Sequence, residues 1–208
     1  MIDNITLDSI RNVVKEFEDE KRFLHTLGVE EEAQSLGEIF MPDKIDKLRL
    51  AAILHDITKC FSNEKHLALC EEHNIELDMK HFTSKLFHSK TGSEYAKKLL
   101  GSELVDSEVY NAILYHTTGR ENMKLFEQII YLADYIEPNR TFEDCVTLRK
   151  YFYESIKNAT EDDEKINILN KTMLLSFDMT IKNLIEEGKK IDLETIKARN
   201  YFISLLKK

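Results

Sequence analysis

Two adjacent metal-ligand residue types, His55 and Asp56, close the apolar run Leu50-Ala51-Ala52-Ile53-Leu54, and Lys59 follows three residues after the carboxylate. A carboxylate carried into apolar surroundings is costly unless a cation or several hydrogen-bond donors meet it. Alone, a His-Asp pair reads as a capping Asp beside a core His, and it becomes a metal site only if partner ligands stand elsewhere in the chain. Candidates are present: His25, His88, His116 and Asp134 each lie on or beside an inward face of a predicted helix. Four imidazoles and two carboxylates without a thiolate suit a pair of borderline-hard ions. Iron or manganese fits better than structural zinc, although imidazole-rich sites also take zinc, nickel or cobalt. Asp56, next to His55, is the residue best placed to bridge two ions.

The elements that must position these groups are helical. Arg22, His25, Val29, Ala33, Leu36 and Phe40 recur at steps of three and four, which turns His25 inward with Arg22 one turn before it. An earlier helix carries Ile10, Val13, Val14 and Phe17, with Thr6 or Asp8 as its cap. Pro42-Asp43 resets the chain, and the next helix is expected to place Leu48, Ala52, His55 and Lys59 on one face. His88 follows two apolar residues just before a helix ending at Gly101. Asp106 or Ser107 starts a helix whose Val109, Ala112, Ile113 and His116 fall on one stripe. Asp134 stands within a segment apolar on almost every side, from Leu125 to Ile136, ended by Pro138. Further helices are expected around 147–158, over 163–187 with Gly188 as the stop, and from Asp192; Ile166, Leu169, Met173, Phe177, Ile181 and Leu184 form the longest core stripe. His66, His73 and His81 match no ligand spacing and read as surface residues.

Composition narrows the class. The chain has 208 residues, six Gly and two Pro, with no sustained alternation, which favours an all-α fold in one compact unit, residues 1–208. A net charge of −9 argues against a nucleic-acid or membrane-surface binder but allows a local basic pocket for an anionic small molecule. Cys60, Cys70 and Cys145 form no CxxC pair, and no apolar run reaches membrane-spanning length. A cytoplasmic setting is expected. For phosphate binding, the residues close to ligand candidates are Arg22, Lys59, Arg120 and Arg140, with Thr117, Thr118 and Gly119 as a polar turn that either serves the site or only reverses the chain.

The order His25, His55-Asp56, His88, His116, Asp134 resembles the HD-domain metal-dependent phosphohydrolases. The strings RFLHTLGV, LAAILHDITKC, LFHSKTG, NAILYHTTGR, IIYLADYIEPNR and TIKARNYF narrow the resemblance to the YqeK-type symmetrical bis(5'-nucleosyl)-tetraphosphatases, over residues 18–206, least in 141–164. The resemblance implies an HD-type helical bundle with a di-iron centre, manganese or cobalt being alternatives. It implies cleavage of diadenosine tetraphosphate into two ADP by attack of a metal-bridging water. By the same resemblance His25, His55, Asp56 and Asp134 hold one ion, and Asp56, His88 and His116 the other. Asp56 and Lys59 are then the catalytic pair, with Arg22, Lys59, Thr118, Arg120 and Arg140 on the substrate. A homodimer is compatible with this reading. Other HD-type nucleotide phosphohydrolases, an HD-type di-iron oxygenase and a non-catalytic metal-nucleotide sensor are the alternatives.

Overall fold

Apolar residues at helical spacing produce ten α-helices in the computed structural model, which describes residues 4–77 and 84–207; among the described residues there is no strand. They are α1 (Asn4–Lys15), α2 (Glu20–Phe40), α3 (Ile45–Leu54), α4 (Asn63–Glu72), α5 (Phe87–Leu104), α6 (Ser107–Tyr115), α7 (Leu125–Ile136), α8 (Glu143–Ile156), α9 (Asp162–Glu186) and α10 (Leu193–Leu206). A helix apolar on all sides has to be enclosed. Accordingly α3, with Leu48 and Leu50 through Leu54 fully buried, is packed by α1, α2, α6 and α7. Helix α5 covers α6, while α8 and α10 flank α9. Leu169, Met173 and Phe177 of α9 are fully buried, whereas Ile166, Ile181 and Leu184 of the expected stripe are only partly covered.

Several expectations are corrected. Helix α1 already begins at Asn4, so Thr6 and Asp8 lie inside it rather than capping it. Helix α3 stops at Leu54, and His55 to Cys60 form tight turns, with Ile57 N–H bonding Leu54 O at 3.2 Å and Lys59 N–H bonding Asp56 O at 2.7 Å. His55 and Lys59 therefore do not share a helical face. The turn nevertheless curls Lys59 Nζ to 3.7 Å from Asp56 Oδ1. His88 lies in the first turn of α5 instead of preceding it, and Gly101, at φ +80°, breaks that helix where an end was expected. His66 is not a surface residue: it is 4% exposed, stacked on Phe87 with ring centroids 5.3 Å apart, and its Nδ1 lies 2.8 Å from Thr91 Oγ1. His73 is partly buried, and His81 lies outside the described residues.

Caps anticipated from the sequence do form. Asp106 accepts from Glu108 N–H at 3.0 Å and Val109 N–H at 3.2 Å, and so starts the helix that ends at His116. Asp106→Ala removes this cap, and a loss of about 1 kcal/mol is expected. Scanning calorimetry should then show a melting temperature lower by about 2–4 °C, the usual response for a chain of this size; an unchanged value would mean the cap contributes nothing here.

Candidate metal centre

Four helix ends and one turn converge on Asp56. His25 comes from the second turn of α2, His55 and Asp56 from the turn after α3, His88 from the start of α5, His116 from the end of α6, and Asp134 from the last turn of α7. Each imidazole is oriented from behind through Nδ1. His55 Nδ1 lies 2.7 Å from Ala52 O, His116 Nδ1 2.7 Å from Ile113 O, and His88 Nδ1 2.8 Å from Lys85 O. His25 Nδ1 lies 3.1 Å from Glu137 Oε1. A carbonyl can only accept, so Nδ1 of His55, His88 and His116 carries the proton and their Nε2 presents a lone pair, while the Glu137 carboxylate accepts from Nδ1–H of His25.

The four Nε2 atoms face one carboxylate. Asp56 Oδ2 is 3.6 Å from His55 Nε2 and 4.0 Å from His25 Nε2, while Oδ1 is 3.2 Å from His88 Nε2 and 3.5 Å from His116 Nε2. Asp134 Oδ1 completes the first group, 3.0 Å from His25 Nε2 and 3.8 Å from His55 Nε2. His25 Nε2, His55 Nε2 and Asp56 Oδ1 are buried and have no hydrogen-bond partner. Leaving such groups unsatisfied is expensive, and a cation seated among them removes the cost. The donor set therefore fits metal binding: ligand atoms of His25, His55 and Asp134 all lie within 4.8 Å of one another, as do those of His55, Asp56 and His116.

Electrostatics prepare the same state. Burial lowers the His55 pKa to about 4 and takes His88 well below the usual imidazole range. Burial would raise the carboxylates, but His55, His88 and Lys59 hold Asp56 well below its usual range, and Arg140 does so for Asp134. Neutral imidazole and ionised carboxylate are the forms that bind metal. His25 differs: burial opposes its protonation, yet the Asp134 and Glu137 carboxylates beside it raise it to about 9, so metal binding there must displace a proton from this ring.

The expected phosphate-binding residues divide. Arg22 Nη1 donates to Asp56 Oδ2 at 2.7 Å, and Arg140 Nη2 donates to Asp134 Oδ1 at 2.5 Å, so both arginines hold ligand carboxylates. Lys59 Nζ reaches to 3.0 Å from His88 Nε2. Arg120 is not brought to the cluster: it is clamped by buried Glu127 through bonds of 2.8 and 2.6 Å and lies over the Tyr115 ring. Thr118 bonds its neighbour's carbonyl, Gly119 O, and it is Thr117 whose hydroxyl lies 3.0 Å from His116 Nε2 and 3.2 Å from His88 Nε2. Asp134 is not fully enclosed; its side chain is 18% exposed and opens, with Asp56 and His116, into a cavity of about 400 Å³.

Sequence reasoning missed Glu137 and Gly28. Glu137 is 1% exposed; one oxygen meets His25 and the other accepts from Asn139 N–H at 2.6 Å. A Cβ on Gly28 would stand 2.3 Å from Glu137 Oε2, so only glycine lets α2 come this close. The signal was present as a glycine three residues after His25 and a glutamate three after Asp134. Arg149 of α8 in turn donates to Ile136 O at 2.6 Å, to Glu137 O, and to Arg140 O at 2.9 Å, fixing the turn that carries Glu137.

A helical fold closed around this imidazole-carboxylate cluster defines an HD-domain hydrolase, and the HD domain model matches residues 22–139. The chain is 34% identical over 191 residues to the symmetrical bis(5'-nucleosyl)-tetraphosphatase of Halalkalibacterium halodurans, covering 92% of this chain and 94% of the relative. Identity to the symmetrical bis(5'-nucleosyl)-tetraphosphatase of Bacillus subtilis is 31%, with the same coverages. A crystal structure from Clostridium acetobutylicum, described as a predicted HD superfamily hydrolase involved in NAD metabolism, superposes with a TM-score of 0.81 at 41% identity, covering 95% of this chain and 97% of that one. The chain belongs to the symmetrical bis(5'-nucleosyl)-tetraphosphatases of the HD-domain family.

Groups that orient a metal-binding imidazole typically control about 10–100-fold in affinity. Glu137→Ala is expected to weaken the group containing His25 by that factor, and Gly28→Ala to do the same by displacing Glu137. Competition with a coloured chelator measures it. Equal affinity in the wild type and both variants would leave Glu137 without an orienting role.

Proposed function

We propose that this protein hydrolyses diadenosine tetraphosphate at its centre, giving two ADP, with two transition-metal ions, iron first and manganese or cobalt as alternatives. The observation that carries the reading is the set of four imidazole Nε2 atoms around the two oxygens of Asp56, those of His55, His88 and His116 fixed as lone pairs by carbonyls at Nδ1. His25, His55, Asp56 and Asp134 would hold one ion and Asp56, His88 and His116 the other. When bound, such ions supply Lewis acidity toward a phosphoryl oxygen and make water acidic enough to attack near neutral pH.

The chain's own residues contribute position and charge. Arg22 and Arg140 hold Asp56 and Asp134 in place through hydrogen bonds, and Arg140 keeps Asp134 ionised. Lys59, one-third exposed and within reach of Asp56, offers an ammonium to the phosphoryl group as negative charge shifts to the leaving diphosphate. Thr117 adds a hydroxyl at the His88–His116 side. Oxygen chemistry at a di-iron site would not need these cations. A cytoplasmic location is part of the proposal; the three cysteines are free, as a reducing compartment requires, and no helix among the described residues is long and apolar enough to cross a membrane.

Chromatography of the products from metal-loaded protein should show ADP as the sole nucleotide, with solvent oxygen-18 in one of the two molecules. Lys59→Ala should lower turnover by about 10²–10³-fold, the scale of losing one preorganised donor, with metal content unchanged. ATP and AMP in equal amounts would rule out central cleavage, and a requirement for molecular oxygen would move the protein to the oxygenases.

A further inference from the structure

The cavity over the metal centre is the middle of a longer groove. It shares Arg140 and Phe142 with a neighbour of about 450 Å³ that also contains Arg22 and His25. It shares Lys59, Thr117, Thr180 and Leu184 with another of about 430 Å³. The two outer cavities have no described lining residue in common, so the centre connects them. The first is lined by arginines already tied to ligand carboxylates. The second is lined by four lysines, Lys59, Lys85, Lys189 and Lys190, set against the apolar Leu86 and Leu184.

The last two lysines are placed by a rigid turn. Helix α9 closes with Gly188 at φ +61°, Gly188 N–H bonding Ile185 O at 3.0 Å and Lys189 N–H bonding Leu184 O at 2.8 Å. This paired C-terminal motif needs the left-handed conformation that glycine adopts freely. It folds Lys189 and Lys190 back over the end of the helix whose Thr180 and Leu184 line both the centre and the outer cavity. Lys189 keeps one anionic neighbour, Glu187, yet lies close enough to Lys85 for the two ammoniums to repel, which lowers its pKa. Asp192, the acid in this wall, is engaged as the N-cap of α10, accepting from Glu194 N–H at 2.9 Å. Like charges held together beside an apolar wall are stabilised by a ligand that joins polyanionic phosphate to a flat, weakly polar ring.

We propose that the cavity between the α9–α10 turn and the start of α5 is the subsite for one nucleoside-phosphate half of the dinucleotide, the other half lying toward Arg22 and Arg140. Lys85, Lys189 and Lys190 grip the phosphates beyond the scissile bond, and the apolar wall of Leu86 and Leu184 receives the base. The ligand's identity rests on the hydrolysis proposed above. The subsite gives that reading a reason for central cleavage, because both outer cavities offer cations and the metal centre lies between them.

The test is calorimetric binding of a methylene-bridged, uncleavable analogue of diadenosine tetraphosphate to the metal-loaded protein. The variant Lys189→Ala/Lys190→Ala changes two exposed side chains, and its Kd is expected to weaken about tenfold, the loss of one charge-assisted phosphate contact or more. Metal content and melting temperature should stay unchanged, and Lys189→Arg/Lys190→Arg should restore binding. With the natural dinucleotide the alanine pair should raise KM by more than it lowers kcat. An unchanged Kd in the alanine pair overturns the subsite, whatever the products of hydrolysis. Normal weakening of analogue binding alongside ATP and AMP as products would keep the subsite and remove the symmetrical reaction, and a wild-type protein that does not bind the analogue overturns both.

Discussion

The site answers to one buried carboxylate, Asp56, that faces four imidazoles, two at each oxygen. Asp56 has no apolar alternative to its partners, since the run before it lies wholly inside the core. The Coulombic cost of that position is offset only when cations and donors arrive from other elements, and those elements are spread from α2 to α7. The packing of α3 against α2, α6 and α7 is thus also the assembly of the site, because the same helices that bury Leu48 to Leu54 end at His116 and carry His25 and Asp134.

The division of labour between backbone and side chain follows from where helices end. Carbonyls in the last turn of α3 and α6, Ala52 O and Ile113 O, accept hydrogen bonds from the Nδ1–H of His55 and His116. His88, at the start of α5, uses Lys85 O of the preceding turn in the same manner. His25 lies within α2 rather than at its end, and its Nδ1 partner is a side chain, Glu137, distant in sequence. The arginines at the centre, Arg22 and Arg140, are hydrogen-bonded to Asp56 and Asp134, which leaves Lys59, one-third exposed, as the cation on the site's open side.

Much of this was legible in the sequence. Helical spacing placed His25, His116 and Asp134 on inward faces, and Asp106, Asp192 and Gly188 marked helix limits that the structure retains. What escaped was long-range pairing. Arg120 carried the right charge next to a ligand but is held by Glu127, and nothing local announces a buried glutamate seven residues on. His66 lies in a charged segment, yet the fold lays it on Phe87. The end of α3 at Leu54 was illegible because the apolar pattern runs on to Ile57 and no glycine or proline marks the turn, which is closed by backbone bonds from Ile57 to Leu54 and from Lys59 to Asp56.

Arg149 has a consequence for how the domain can be divided. The residues matched by the HD domain model end at Asn139, but the carbonyls of Ile136, Glu137 and Arg140 are gathered by a guanidinium from α8, beyond that boundary. Glu137 sets His25 only while this backbone holds its course. The motif that carries the ligands is therefore not a self-sufficient cassette: its last loop borrows rigidity from a helix outside it, so sequence drift at Arg149 is constrained by metal geometry although that side chain reaches the site only through backbone carbonyls.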